Sequence, residues 1–317
     1  MRAINEPTCW TVVGKAAAVA ALLCGQPAFG QDEGTSADVI EIPADLRPQH
    51  RVPRSNDGTP TLPPPSGVPA FVRPERSVQT AGPPSVLAIL AHPDDEITMA
   101  PVLARVAREG GGVTIVFATS GDAGPGLSGM SPGEELAELR ENEARCAAFA
   151  LGLAEPTFWQ YGDGKLANIA RQDTQSDDGA ETIIDRISAV IAETNPRAIM
   201  TWGPDGGYGH ADHRMISNLV TQAVQAMGSE RPDLLYAAFP EGEAANMPGF
   251  EGWATIDPSL VTDRIRYQPT DLEATRSAIE CYESQFPAEA RAVLPDILHG
   301  SLWRGTVFFR LAFASPR

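Results

Sequence analysis

Positive charge is scarce in this 317-residue chain: 24 Lys and Arg stand against 41 Asp and Glu, a formal net charge of −17. A surface of that sign lacks the basic face that holds nucleic acid or an anionic membrane, so both partner classes are set aside. The charge is read as solubility. Cysteine is scarce as well. Beyond the first thirty residues only Cys146 and Cys281 remain, and no close pair or four-cysteine pattern exists to build a structural zinc site. Spacing does not decide whether these two pair, and two buried, unpaired thiols are expected. The apolar run Ala16 to Cys24 is too short to span a bilayer, so no membrane insertion is expected. No internal repeat is present, and nothing in the pattern speaks to oligomeric state.

The short run has a different reading. Arg2 and Lys15 precede or border it, and Ala28-Phe29-Gly30 offers small residues at the two cleavage-determining positions. That is the outline of a signal peptide over residues 1–30, cut after Gly30, and it predicts a periplasmic or secreted protein. Cys24 follows Leu22-Leu23 rather than a small residue, which disfavours a lipid anchor. Residues 31 to 85 then carry eleven prolines in 55 positions with no sustained apolar period. They read as an extended proline-rich arm (31–84), not a domain.

From Ser85 the pattern changes. Val86 to Ala91 is a continuous apolar run, the mark of a strand buried on both faces. A helical period over Ile97 to Glu109 stops at Gly110-Gly111-Gly112. Strands follow at 113–119, 157–160, 197–202 and 234–239, with helices at 134–151, 182–194 and 211–227 between them. Later come a strand at 261–266, a helix at 272–285 and a strand at 305–311. The alternation predicts one α/β domain over 85–317, a mostly parallel sheet with helices on both faces.

Two clusters carry chemistry. Ala91-His92-Pro93-Asp94-Asp95-Glu96 leaves the carboxyl end of the first strand, where open α/β sheets bind their ligands. Three acids and a histidine in five residues repel one another unless a cation sits among them. The second cluster, Tyr208-Gly209-His210-Ala211-Asp212-His213, follows the strand ending at Trp202 and holds two of the five histidines. His92, Asp95 and His213 together make two nitrogens and one carboxylate with a fourth position open. That is the composition of a catalytic zinc site, and it also suits ferrous iron. Asp94, next to Asp95, must point differently and is free for another role.

On these two motifs, over roughly Val86 to Gln285, the chain resembles the PIG-L/LmbE-type zinc N-deacetylases. The resemblance implies a Rossmann-like, doubly wound fold with His92, Asp95 and His213 holding zinc. It implies Asp94 as general base, and His210 as oxyanion stabiliser or proton donor steadied by Asp212. It implies Tyr208 at the substrate carbonyl, and a small N-acylated sugar or amide as substrate. Ala211 stands where the family more often has proline, a change that removes no ligand. Thr119-Ser120-Gly121-Asp122 resembles the family's loop after the second strand, with aspartate where glutamate is commoner. Arg140 matches a substrate-contacting arginine, or is a surface helix residue. Asp163 matches a sugar-hydroxyl contact, or is a turn residue. Ser284-Gln285 resembles a late motif whose chemistry the sequence does not disclose. The glycines of 124–129 spell a dinucleotide pattern but do not run from strand into helix, so they read as a loop beside the cleft, a candidate lid. Two alternatives stand beside the deacetylase: an amidase or esterase on a non-sugar substrate, and a non-catalytic carbohydrate- or metal-binding protein.

Overall fold

In the computed structural model the described residues are 84–173, 182–228, 231–242 and 252–313. The expected signal peptide and nearly all of the proline-rich arm lie outside them.

Strand β1 (Val86–Leu90) is buried at every position, as its unbroken apolar sequence requires. It sits between β2 (Val113–Thr119) and β4 (Ala198–Thr201), parallel to both. β3 (Thr157–Tyr161) extends the sheet beyond β2, and β5 (Asp233–Ala237) extends it beyond β4. The last two strands, β6 (Asp263–Arg266) and β7 (Thr306–Leu311), return antiparallel and complete the order β3-β2-β1-β4-β5-β7-β6. The chain builds outward from β1 to β3, then crosses back to build the other side from β4. At that reversal the loops leaving β1 and β4 diverge, and a crevice opens between them.

The helices are α1 (Ala100–Arg108), α2 (Glu134–Ala150), α3 (Leu166–Asp173), α4 (Ile183–Thr194), α5 (Ala211–Gln225), α6 (Pro269–Glu280) and α7 (Ala288–Leu298). The helix expected over 97–109 divides into a 3₁₀ turn, Asp95–Met99, and α1. Pro101 stands in the first turn of α1, where its missing N–H costs nothing. The helix expected over 272–285 begins earlier and stops at Glu280, after which Tyr282, Ser284 and Phe286 turn inward. α3 and α7 were not expected. α7 contains Pro295, which reads as a breaker in sequence yet is tolerated as the helix runs into a π turn, His299–Trp303.

One expectation about the cysteines is corrected: Cys146 and Cys281 form a disulfide with Cα atoms 5.8 Å apart. α2 and α6 pack side by side, which brings the two positions within bonding distance although 135 residues separate them. Nor are they deeply buried, since Cys146 is exposed and Cys281 half-buried.

Candidate functional site

The turn after β1 is built around Asp95. Its Oδ2 accepts the backbone N–H of Ala91 at 2.9 Å and of His92 at 3.0 Å, so the carboxylate folds back over its own turn. Oδ1 is left facing the crevice, 3.0 Å from His213 Nε2. Asp94 occupies left-handed backbone space, φ 97°, which costs a side-chain-bearing residue about 1–2 kcal/mol. That conformation lets two adjacent aspartates point differently.

Opposite, the glycine-rich turn after β4 delivers α5. His210 caps the helix, its Nδ1 accepting the Asp212 N–H at 3.2 Å. His213, fully buried, places Nδ1 at 3.1 Å from the Gly206 carbonyl. A carbonyl only accepts, so Nδ1 carries a proton, and Nε2 faces the crevice. The ring stacks on Trp202, centroids 4.3 Å apart and planes 9° from parallel. Gly207 makes this close fit: with φ 69°, a Cβ there would come within 2.5 Å of the Trp202 ring. Trp202 was expected only as the end of a strand. A large aromatic immediately before a histidine-bearing turn is the signal that could have marked it.

The three expected ligands meet. His92 Nδ1 lies 3.1 Å from His213 Nε2 and 3.9 Å from Asp95 Oδ2. Donors about 2.0–2.1 Å from a tetrahedral ion sit roughly 3.3 Å from one another, so this trio suits a zinc-sized cation. One ring nitrogen each of His92, His210 and His213 also lies within 4.8 Å of the others, as does one donor atom each of His92, Asp163 and Asp212. His92 therefore has a donor set on each side of its ring.

Behind His92, Asp163 Oδ1 is 3.0 Å and Asp212 Oδ2 3.6 Å from Nε2. These are ion-pair separations without the alignment of a hydrogen bond. Asp163 was expected at a sugar hydroxyl, but it is only 4% exposed and turns toward His92. Asp212 steadies His210 through its backbone N–H, while its fully buried carboxylate accepts the N–H groups of Gly164 at 2.7 Å and Leu166 at 3.2 Å. It thereby fixes the loop carrying Asp163. Arg140 is 3% exposed, so it is no surface residue. Its Nη2 donates to the Pro93 carbonyl at 2.7 Å and to Asp94 Oδ2 at 3.1 Å, and its Nη1 donates to the Gly121 carbonyl at 3.2 Å. Gly121 makes room for it, since a Cβ there would meet the guanidinium at 2.2 Å. Tyr208 is half-buried, edge-on to His213 at 5.1 Å.

The electrostatics follow from burial and pairing. Burial pushes the Asp94 carboxyl up to about 7, against the pull of Arg140. Burial would also raise Asp95, but His213 and His92 outweigh it and hold it well below the usual range. Burial opposes a charge on His92, yet Asp163, Asp212 and Asp95 hold its pKa well above normal. With so many carboxylates about it, the cluster is balanced by a proton where a divalent cation would serve in its place. His210 is pushed down to about 4 by burial and by its two histidine neighbours, which keeps it neutral. Glu96, buried beneath the turn, is raised to about 8.

Residues 87–224 match the family model described as PIG-L, GlcNAc-PI de-N-acetylase. A 1D-myo-inositol 2-acetamido-2-deoxy-alpha-D-glucopyranoside deacetylase of Rhodococcus opacus is 34% identical over 165 residues, 47% of this chain and 56% of that protein. The match thus spans little more than half the length of that relative. Among solved structures, the N,N'-diacetylchitobiose deacetylase of Pyrococcus horikoshii superposes with TM-score 0.50 at 19% identity, over 72% of this chain and 83% of that one. GalB, the 4-carboxy-2-hydroxymuconate hydratase of Pseudomonas putida, does so with TM-score 0.51 at 19% identity, over 74% and 97%. These neighbours share the Rossmann-like fold, and a hydratase among them means that the fold does not choose the reaction. The expected periplasmic or secreted location is corrected: it does not stand against the sequence relatives, the deacetylases of that name from Rhodococcus. Among the described residues no helix is long and apolar enough to cross a membrane.

Proposed function

We propose, from the match of residues 87–224 to the PIG-L family model, a zinc-dependent hydrolase that removes the acetyl group from the nitrogen of an amino sugar or related small amide. The observation that carries it is the convergence of His92 Nδ1, His213 Nε2 and Asp95 at the sheet's reversal, with Asp94 and His210 beside them. The deacetylases named above act on acetamido sugars, which favours that substrate class.

His92, Asp95 and His213 hold the ion. Of the neighbouring sets, the three histidines bring no carboxylate to offset the ion's charge, and in the set with Asp163 both Asp212 oxygens already accept backbone N–H groups. Zinc bound there supplies a Lewis acid for the amide carbonyl and a water of lowered pKa. The same donors suit ferrous iron, and metal analysis distinguishes the two. Asp94 takes the proton from the attacking water, its carboxylate held by Arg140. His210 has Nδ1 engaged by the Asp212 N–H, so its Nε2–H is free to donate a hydrogen bond to the developing oxyanion, and the proton Asp94 took from water passes to the departing amine. Tyr208 sits at the rim to meet the substrate carbonyl. Arg140 acts on Asp94 and Asp163 acts on His92, so neither needs to touch the sugar.

Asp94→Asn tests this arrangement. The variant is expected to retain zinc and lose about 10²–10⁴-fold in kcat, the usual share of a general base. Undiminished acetate release would remove Asp94 from the role.

A further inference from the structure

The matched family region ends at residue 224, yet a segment some sixty residues later reaches the site from beneath. Tyr282 is fully buried and its hydroxyl donates to Glu96 Oε1 at 2.5 Å. The other oxygen of Glu96 accepts the backbone N–H of Asp94 at 3.2 Å. Ser284 donates its N–H and its hydroxyl to the two oxygens of Glu143, at 2.7 and 2.6 Å. Glu143 lies one turn beyond Arg140 on α2, the helix whose arginine grips Asp94 Oδ2 and the Pro93 carbonyl. Gln285 donates to the Gly124 carbonyl at 3.3 Å, and Leu127 donates its N–H to the Ser284 carbonyl at 2.5 Å.

Resting on the reading of Asp94 as base, we propose that residues 282–285 are positioning residues for Asp94. Tyr282 acts through Glu96 on its backbone, and Ser284 acts through Glu143 on the helix face that carries Arg140. The physical need is specific. Asp94 sits at φ 97°, a conformation that persists only where its surroundings enforce it. Glu96 and Arg140 hold the two ends of that residue, and each leans on the segment after α6. A misplaced reacting group loses rate steeply while ground-state binding is little changed. The Ser284-Gln285 motif, without assignable chemistry in the sequence, thereby helps to fix the base and pins the 124–127 loop.

The test uses the full chain with Tyr282→Phe and, as an independent arm, Ser284→Ala. Each is read by kcat and KM on an N-acetylated amino sugar, by zinc per chain, and by hydrogen exchange of the peptide spanning 91–97. Expected are a kcat lower by about ten- to a hundredfold, KM within twofold, unchanged zinc, and faster exchange at 91–97 without a matching change in the core strands. Unchanged kcat and exchange in both variants would overturn the inference, as would a loss accompanied by zinc release or by global loosening. If the wild-type chain releases no acetate, the proposed activity fails instead, and exchange at 91–97 alone decides the inference.

Discussion

His92 shows how much hangs on which way one ring is held. Its Nδ1 faces His213 and Asp95, and its Nε2 faces Asp163, so the carboxylate behind it decides which nitrogen carries a proton. Asp163→Asn preserves shape and removes that charge. It should weaken zinc binding by about 10–100-fold, read by competition with a chromophoric chelator, and leave thermal stability nearly unchanged. Unaltered zinc affinity together with a raised KM would return Asp163 to the sugar. That His92, Asp95 and His213 converge was legible in the sequence, because all three leave strand ends in two dense polar clusters. The inward turn of Asp163 and the burial of Arg140 were not. Neither residue carries a local sign of which surface will cover it, and a buried arginine is spelled like an exposed one.

At the scale of elements, the site depends on segments that meet only after folding. α2 brings Arg140 and Glu143, the end of α6 brings Tyr282 and Ser284, and the Cys146–Cys281 disulfide joins these two elements. Pairing could not be read from spacing, because a separation of 135 residues says nothing about distance until α2 and α6 are packed. Closing so long a loop restricts the unfolded chain, worth about 2–5 kcal/mol. The Cys146→Ser/Cys281→Ser double variant should therefore melt lower by roughly 5–15 °C in differential scanning calorimetry. An unchanged transition would mean that the bridge contributes nothing to stability. The strands were legible because continuous apolar runs mark strands buried on both faces, as β1 shows. α3 escaped notice because it is only eight residues long, and α7 because Pro295 interrupts it.

Over the whole molecule, a parallel sheet that reverses its order between β1 and β4 makes a crevice before any catalytic residue is placed in it. The two polar clusters occupy the loops on either side of that reversal, so topology and chemistry point to one location. The alternation of strand and helix disclosed this much, while the antiparallel β6 and β7 edge needed the folded chain. The proposed hydrolysis requires that His92, Asp95 and His213 hold an ion. Metal content per chain for the wild type and Asp95→Ala, beside acetate release from N-acetylglucosamine-type substrates before and after chelation, tests this. Expected are about one zinc in the wild type, little in the variant, and activity that falls on chelation and returns with added zinc. Full metal content and undiminished, chelator-resistant turnover in Asp95→Ala would contradict the proposed function.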